Sequence, residues 1–299
     1  MNYAELKKLI KQESKNDGNS FENSGDLIQK KIFKLDKENI KNLIIDMGAI
    51  PEDIQHDSSE EKLYSKMTDV LLAKTFHELG INATVNKERA NCADVVGKSP
   101  LHGYSLVGDA KAFRLSRTAK NQKDFKVRSM VDWKGSHDYA VLVCPYYQYP
   151  KSNSQIYGQA LNGNVCLMSW EHLAFFLELN IKESKTINLS TIWNVSEQLS
   201  KTVTIKDKDD NLNFHEKGNR LICELLSVDY DKLLLFFDKY KKGIIKRGAI
   251  EIKYWELQIE EIKLYSKEKA IKELLSALKL KEKISAINKF IAYLGEVHE

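Results

Sequence analysis

Asp109 and Lys111 close the short apolar run that begins at Tyr104, and a positive residue then recurs at every third position: Lys111, Arg114, Arg117, Lys120, Lys123 and Lys126. Alternate side chains of a strand point the same way, so a strand here predicts that Asp109 and Lys111 share a face. A second acid, Asp94, is expected to end another short strand, and two adjacent strands would bring the two carboxylates together. Phosphodiester hydrolysis needs this set. Convergent carboxylates, with a backbone carbonyl such as that of Ala110, hold Mg²⁺, which acts as a Lewis acid and lowers the pKa of bound water. A lysine beside them orients that water or offsets developing negative charge.

Acid-x-Lys by itself is a weak signal. The chain contains nine such triplets, and most fall on helical or polar ground, where solvated charge is the simpler reading. Asp109-Ala110-Lys111 differs because an apolar strand leads into it and Ala112-Phe113 follows it. The bland alternative is an Asp–Lys ion pair at a strand end. The adjoining charge favours the functional reading. Residues 111–134 hold eight Lys/Arg and two acids, a net +6, while the whole chain carries +4, so the remainder carries −2. A localised basic segment points to a polyanion. Arg114, Ser116, Arg117, Lys120, Asn121 and Lys123 are the candidate DNA contacts. Lys and Arg neutralise phosphates, Arg suits guanine, and Asn suits adenine in the major groove.

The elements that must position these residues follow from periodicity. Residues 1–80 read as helix, with apolar positions at helical spacing in Leu6-Leu9-Ile10, Leu27-Ile28-Ile32 and Ile40-Leu43-Ile44. A further helix from Ser59 would end at Gly80 as its C-cap. Strands are expected at Ile81–Val85, Ala93–Val96, Tyr104–Phe113, Tyr139–Cys144 and Val165–Met168, with loop punctuation at Gly97-Lys-Ser-Pro100. Ser116 or Thr118 would cap a polar helix reaching Lys134, and Trp170–Leu177 returns to helix. Residues 200–213 read as an exposed connector, and the chain from about 214 reads as helix. The order is that of a mixed α/β core with helices on either side of it in the sequence. The organisation expected is an N-terminal helical region (1–80), an α/β core with the basic segment (81–199) and a C-terminal helical region (200–299).

Composition excludes several classes. No stretch approaches the roughly 20 apolar residues of a membrane span, and the N-terminus lacks a signal-peptide core, so a cytoplasmic protein is expected. Cys92, Cys144, Cys166 and Cys223 form no CxxC pair, and the seven histidines show no HExxH pairing, so zinc is not expected.

The segment Asp109–Val127, DAKAFRLSRTAKNQKDFKV, closely resembles the central segment of the HindIII family of type II restriction endonucleases. The likeness continues in order through Glu61-Lys-Leu-Tyr-Ser-Lys66, DYAVL at 138–142, QYP at 148–150, SWEHLA at 169–174 and Lys253-Tyr-Trp255. It implies a PD-(D/E)xK restriction-endonuclease-like fold: a mixed sheet core flanked by N-terminal and C-terminal helices. It also implies a homodimer that uses Mg²⁺ to cut double-stranded DNA at the palindrome AAGCTT after the first A, leaving 5′ overhangs. A cognate DNA methyltransferase would belong to the same bacterial system.

By position, Asp109 and Lys111 match the family's catalytic acid and lysine, Asp94 matches its leading acid, and Asp124 falls on a family aspartate. Two departures stand out. Ala93 replaces the motif's proline, and Glu88 does not line up cleanly with the family's upstream glutamate. Glu88 remains a candidate, and Glu61, on the preceding helix, is a further candidate organiser of water or metal. Two rival readings stay open: a structure-selective or nicking nuclease on the same core, and a DNA-binding regulator whose acid–lysine pair is structural.

Overall fold

The structure, a computed structural model, describes residues 1–299 except 17, 19, 87–91, 118–121, 151–153, 203–207 and 297–299, and only the backbone at 208–212 and 290–296. Four helices open the chain: α1 (Tyr3–Glu13), α2 (Phe21–Phe33), α3 (Lys37–Met47) and α4 (Ser59–Glu78). Each starts on a side-chain cap, from Asn2, Ser20, Asp36 and Ser58 respectively. A short strand, β1 (Ala49–Ile50), lies between α3 and α4. Helix α4 ends where Gly80 takes a φ of +88°, the left-handed conformation expected of it.

The core is a five-stranded sheet in the order β2 (Asn82–Val85), β3 (Val95–Lys98), β4 (Ser105–Ala110), β6 (Tyr139–Cys144), β7 (Val165–Ser169). The first three are antiparallel neighbours, and β4, β6 and β7 run parallel. Strand β5 (Phe113–Arg114) leaves this sheet and pairs in parallel with β1, Ala49 opposite Phe113. Helices α5 (Gln122–Phe125) and α6 (Val127–Lys134) form the crossover to β6, and α7 (Gln155–Gly163) forms the crossover to β7. Strands β6 and β7 are buried almost throughout, which is why they read as continuous apolar runs.

After β7 come α8 (Trp170–Glu178), α9 (Ser190–Trp193), α10 (Val195–Ser200), α11 (Lys208–Leu225), α12 (Tyr230–Lys263), α13 (Lys267–Ala277) and α14 (Leu280–Glu296). The chain divides into two compact units, Met1–Gly248 and Ala249–Glu299. Among the described residues no helix is long and apolar enough to cross a membrane.

Three local expectations need correction. Gly97 and Lys98 lie inside β3 rather than in a loop, because Gly97 accommodates close neighbours: a Cβ there would sit 3.1 Å from Ile81 and 3.3 Å from Leu106. The polar helix after Ser116 is two helices, α5 and α6, broken at Lys126, whose φ of +53° no helix interior adopts. Helix α11 already covers Lys208–Leu225, so residues 208–213 of the expected connector are helical.

Candidate active site

The acids meet because of strand register. Val95 pairs with Gly108 in the antiparallel β3–β4 ladder, so the next step places Asp94 opposite Asp109. Asp94 therefore precedes its strand instead of ending it. Past the end of β4, the Lys111 amide still donates to Val143 O at 2.8 Å, continuing the ladder to β6. In a trans peptide this turns the Ala110 carbonyl away from β6. The Lys111 ammonium donates to Asp109 Oδ1 at 2.8 Å, so the two side chains do share a face. Trp170 Nε1 donates to the Lys111 carbonyl at 3.0 Å, fixing that residue's backbone from a third side.

Helix α4 supplies a residue that the sequence reading missed. Asp69, Asp94 and Asp109 each place a carboxylate oxygen within 4.8 Å of the others. Helix α4 is brought close by Gly108, beside Asp109, where a Cβ would sit 3.1 Å from Leu72 and 3.2 Å from Phe76. The sequence carries only part of the signal, a lone acid within an apolar stretch, and the burial around it comes from tertiary packing. Asp69 is the one acid in Met67–Phe76, and that stretch is otherwise buried at Met67, Thr68, Val70, Leu71, Leu72, Ala73, Thr75 and Phe76. An acid in the middle of a helix buried on most sides needs a partner or a function. The three aspartates, Ala110 and Lys111 line a cleft of about 520 Å³, together with Lys62, Ser65, Lys66 and Lys126. Lys62, Ser65, Lys66 and Asp69 are spaced to form one stripe of α4.

Electrostatics at this point are crowded. Burial, then the charges of Asp94 and Asp109, push the Asp69 carboxyl well up. Burial and the facing Asp109 raise Asp94 to about 6. For Lys111, burial is the largest influence and works against the ammonium, but the charge and hydrogen bond of Asp109, with smaller contributions from Cys144 and Asp94, together outweigh it, so the net shift is upward and the amine stays charged. Asp109 Oδ2 is buried and without a hydrogen-bond donor, although Lys111 Nζ lies 2.6 Å away in ionic contact. A buried carboxylate oxygen in ionic contact with Lys111 and facing two more carboxylates fits a hard divalent cation of the Mg²⁺ type: the donors are all oxygen, with no thiolate or imidazole among them.

The other sequence candidates fall elsewhere. Glu61 Oε1 accepts from Arg114 at 2.5 Å and Oε2 accepts from the Asp57 amide at 2.8 Å, with His56 Nδ1 also 3.2 Å away. It lines the mouth of the same cleft but is occupied in tying Arg114 to α4. Arg114 also donates to the Pro51 carbonyl at 2.7 Å. Ser116 gives both its amide and its hydroxyl to Glu52, at 3.0 and 2.8 Å. Arg117 is exposed, pairs with Asp124 and lies over the Phe113 ring. Asp124 is thus in the basic arm and not among the three clustered aspartates. Lys123 is exposed on α5. Glu88, Lys120 and Asn121 lie outside the described residues.

The family model of the HindIII restriction endonuclease matches residues 5–291. The type II restriction enzyme HindIII of Haemophilus influenzae is 41% identical over 260 residues, 87% of this chain and 86% of that protein. Among solved structures, the restriction endonuclease FokI aligns over 59% of this chain and 33% of its own, at 12% identity and a TM-score of 0.36, too low to define a shared fold. The chain belongs to the HindIII restriction endonuclease family and is a type II restriction endonuclease.

Proposed function

We propose that this enzyme binds duplex DNA at the palindrome AAGCTT and cuts each strand after the first A, leaving 5′ overhangs. The observation that carries the cutting is the convergence of Asp69, Asp94 and Asp109 beside the Lys111 ammonium in one cleft, while the choice of AAGCTT rests on the likeness to HindIII. Asp94, Asp109 and the Ala110 carbonyl would hold Mg²⁺, with Asp69 as a third carboxylate. The bound ion would supply Lewis-acid stabilisation and a water of lowered pKa. The residues do the rest. Asp109 holds the Lys111 ammonium in place, and the ammonium orients the attacking water and offsets charge on the phosphoryl oxygens. Inversion at phosphorus then releases a 3′-hydroxyl and a 5′-phosphate.

In the arm, Arg117 and Lys123, with Lys120 and Asn121, carry phosphate and base contacts, while Arg114 and Ser116 form its root. Asp124 orients Arg117. Glu61 acts by holding Arg114, and Glu88 stays a candidate upstream acid.

The active form is a homodimer. One carboxylate cluster per chain cuts one strand, and a palindrome is met most simply by a twofold pair. Exposed apolar residues on α12 support this: Ile252 and Ile259, seven residues apart, are 61 and 53% exposed. The enzyme acts in the bacterial cytoplasm, alongside a methyltransferase that protects host sites. Digestion of phage DNA with and without Mg²⁺, with sequencing of the ends, tests the reading. Discrete ligatable fragments ending in AGCT overhangs support it; a smear, nicked circles or cutting without a divalent cation refutes it.

A further inference from the structure

The segment from Gly48 to Glu61 grips the root of the basic arm at three successive points. The Phe113 amide donates to the Gly48 carbonyl at 3.2 Å, within the β1–β5 pairing. The Arg114 guanidinium is held by Pro51 O and Glu61. Ser116, in the turn closed by the Arg117 amide donating to Arg114 O at 3.2 Å, is held through both its amide and its hydroxyl by Glu52. Glu52 is 5% exposed, and a carboxylate is seldom buried unless its oxygens are satisfied.

The gripping segment is itself anchored in the core. Gly48 packs closely against the core: a Cβ there would sit 3.0 Å from Trp170 and 3.1 Å from Pro145, so those side chains would have to give way. The Tyr64 hydroxyl of α4 donates to Ala49 O at 2.9 Å. Ile50 and Ile54 are buried in the core. The bracket is therefore continuous with the helices and strands that carry the three aspartates, and Glu52 is where it meets the Arg114–Arg117 turn at the root of the arm.

We propose that Glu52 is a specificity-determining positioning residue: by fixing both polar groups of Ser116 it sets the angle at which the arm leaves the core, and so which bases its side chains reach. The proposal rests on the endonuclease reading above, and concerns discrimination rather than the capacity to cut. The contact needs an acceptor for the Ser116 amide and any polar partner for its hydroxyl. A glutamine meets both needs, because its carbonyl accepts from the amide and its NH₂ donates to the hydroxyl oxygen.

The test compares kcat/KM in Mg²⁺ on a duplex carrying the site that the wild-type digest defines with duplexes altered at one base pair. Glu52→Ala is expected to lower the cognate-to-altered ratio about tenfold or more, the equivalent of one lost buried hydrogen bond. Glu52→Gln is expected to keep the ratio within about threefold of wild type. Ser116→Ala retains the amide contact and folds without a buried carboxylate being lost; its ratio should fall between the two. Equal losses on cognate and altered sites in Glu52→Ala, or a Glu52→Gln ratio as low as that of Glu52→Ala, would overturn the proposal. Because the reference site is taken from the sequenced ends, an error in AAGCTT does not touch this test. A wild-type enzyme that cuts at no defined site would instead refute the proposed function.

Discussion

The acid end of the sheet and the basic arm sit a few residues apart in sequence and are built on opposite principles. Asp109 is fully buried on a central strand flanked on both sides, its position set by two ladders. The arm after Phe113 leaves that sheet, rests on a two-residue strand, and exposes Arg117 and Lys123. The first arrangement holds crowded like charges that only a rigid scaffold could keep together. The second keeps its cations outside, where phosphates can reach them. On the proposed reading, chemistry that tolerates little displacement sits on strands, and recognition of a long polyanion sits on the surface.

The two regions should therefore respond differently to substitution. Lys111→Ala is expected to have the largest effect, lowering kcat roughly 10²–10³-fold or more while DNA affinity changes little. A matching loss of affinity in a band-shift assay without metal would place Lys111 in binding and erase the contrast. Asp69→Asn comes next. It removes one of three crowded carboxylates, so without metal the variant should melt above wild type. Stabilisation by Mg²⁺, about 2.7 kcal/mol for wild type at a hundredfold excess over Kd, should shrink at the same concentration. Thermal melts with and without Mg²⁺ check both signs, and an unchanged Mg²⁺ response would remove Asp69 from the site. Arg117→Ala should have the smallest effect. It should reduce the slope of log affinity against log salt by about 1 and leave the Mg²⁺ requirement as in wild type. An altered Mg²⁺ requirement would mean that arm and acid end are one unit.

Much of the acid end is legible in the amino-acid sequence. Tyr139–Cys144 is a strand over the expected residues, because the apolar run is unbroken and Pro145 cannot continue the ladder. The pairing of Asp94 with Asp109 follows from two short strands and the alternation of side chains. Asp69 escapes a sequence reading because helical periodicity assigns a lone acid to solvent, and only tertiary packing shows α4 buried on most of its faces. The arm is legible as charge but not as shape. Lys126 breaks its helix through backbone conformation that a lysine rarely adopts. The contacts of Glu52 and Glu61 with Ser116 and Arg114 span 64 and 53 residues, beyond any local pattern.

The most direct test of the central claim, that these aspartates bind the cation over the scissile phosphate, is Asp109→Ala assayed on one labelled AAGCTT duplex for binding and for Mg²⁺-dependent cleavage. Wild-type selectivity in binding with no detectable product is expected. Cleavage by that variant at anything near the wild-type rate would contradict it.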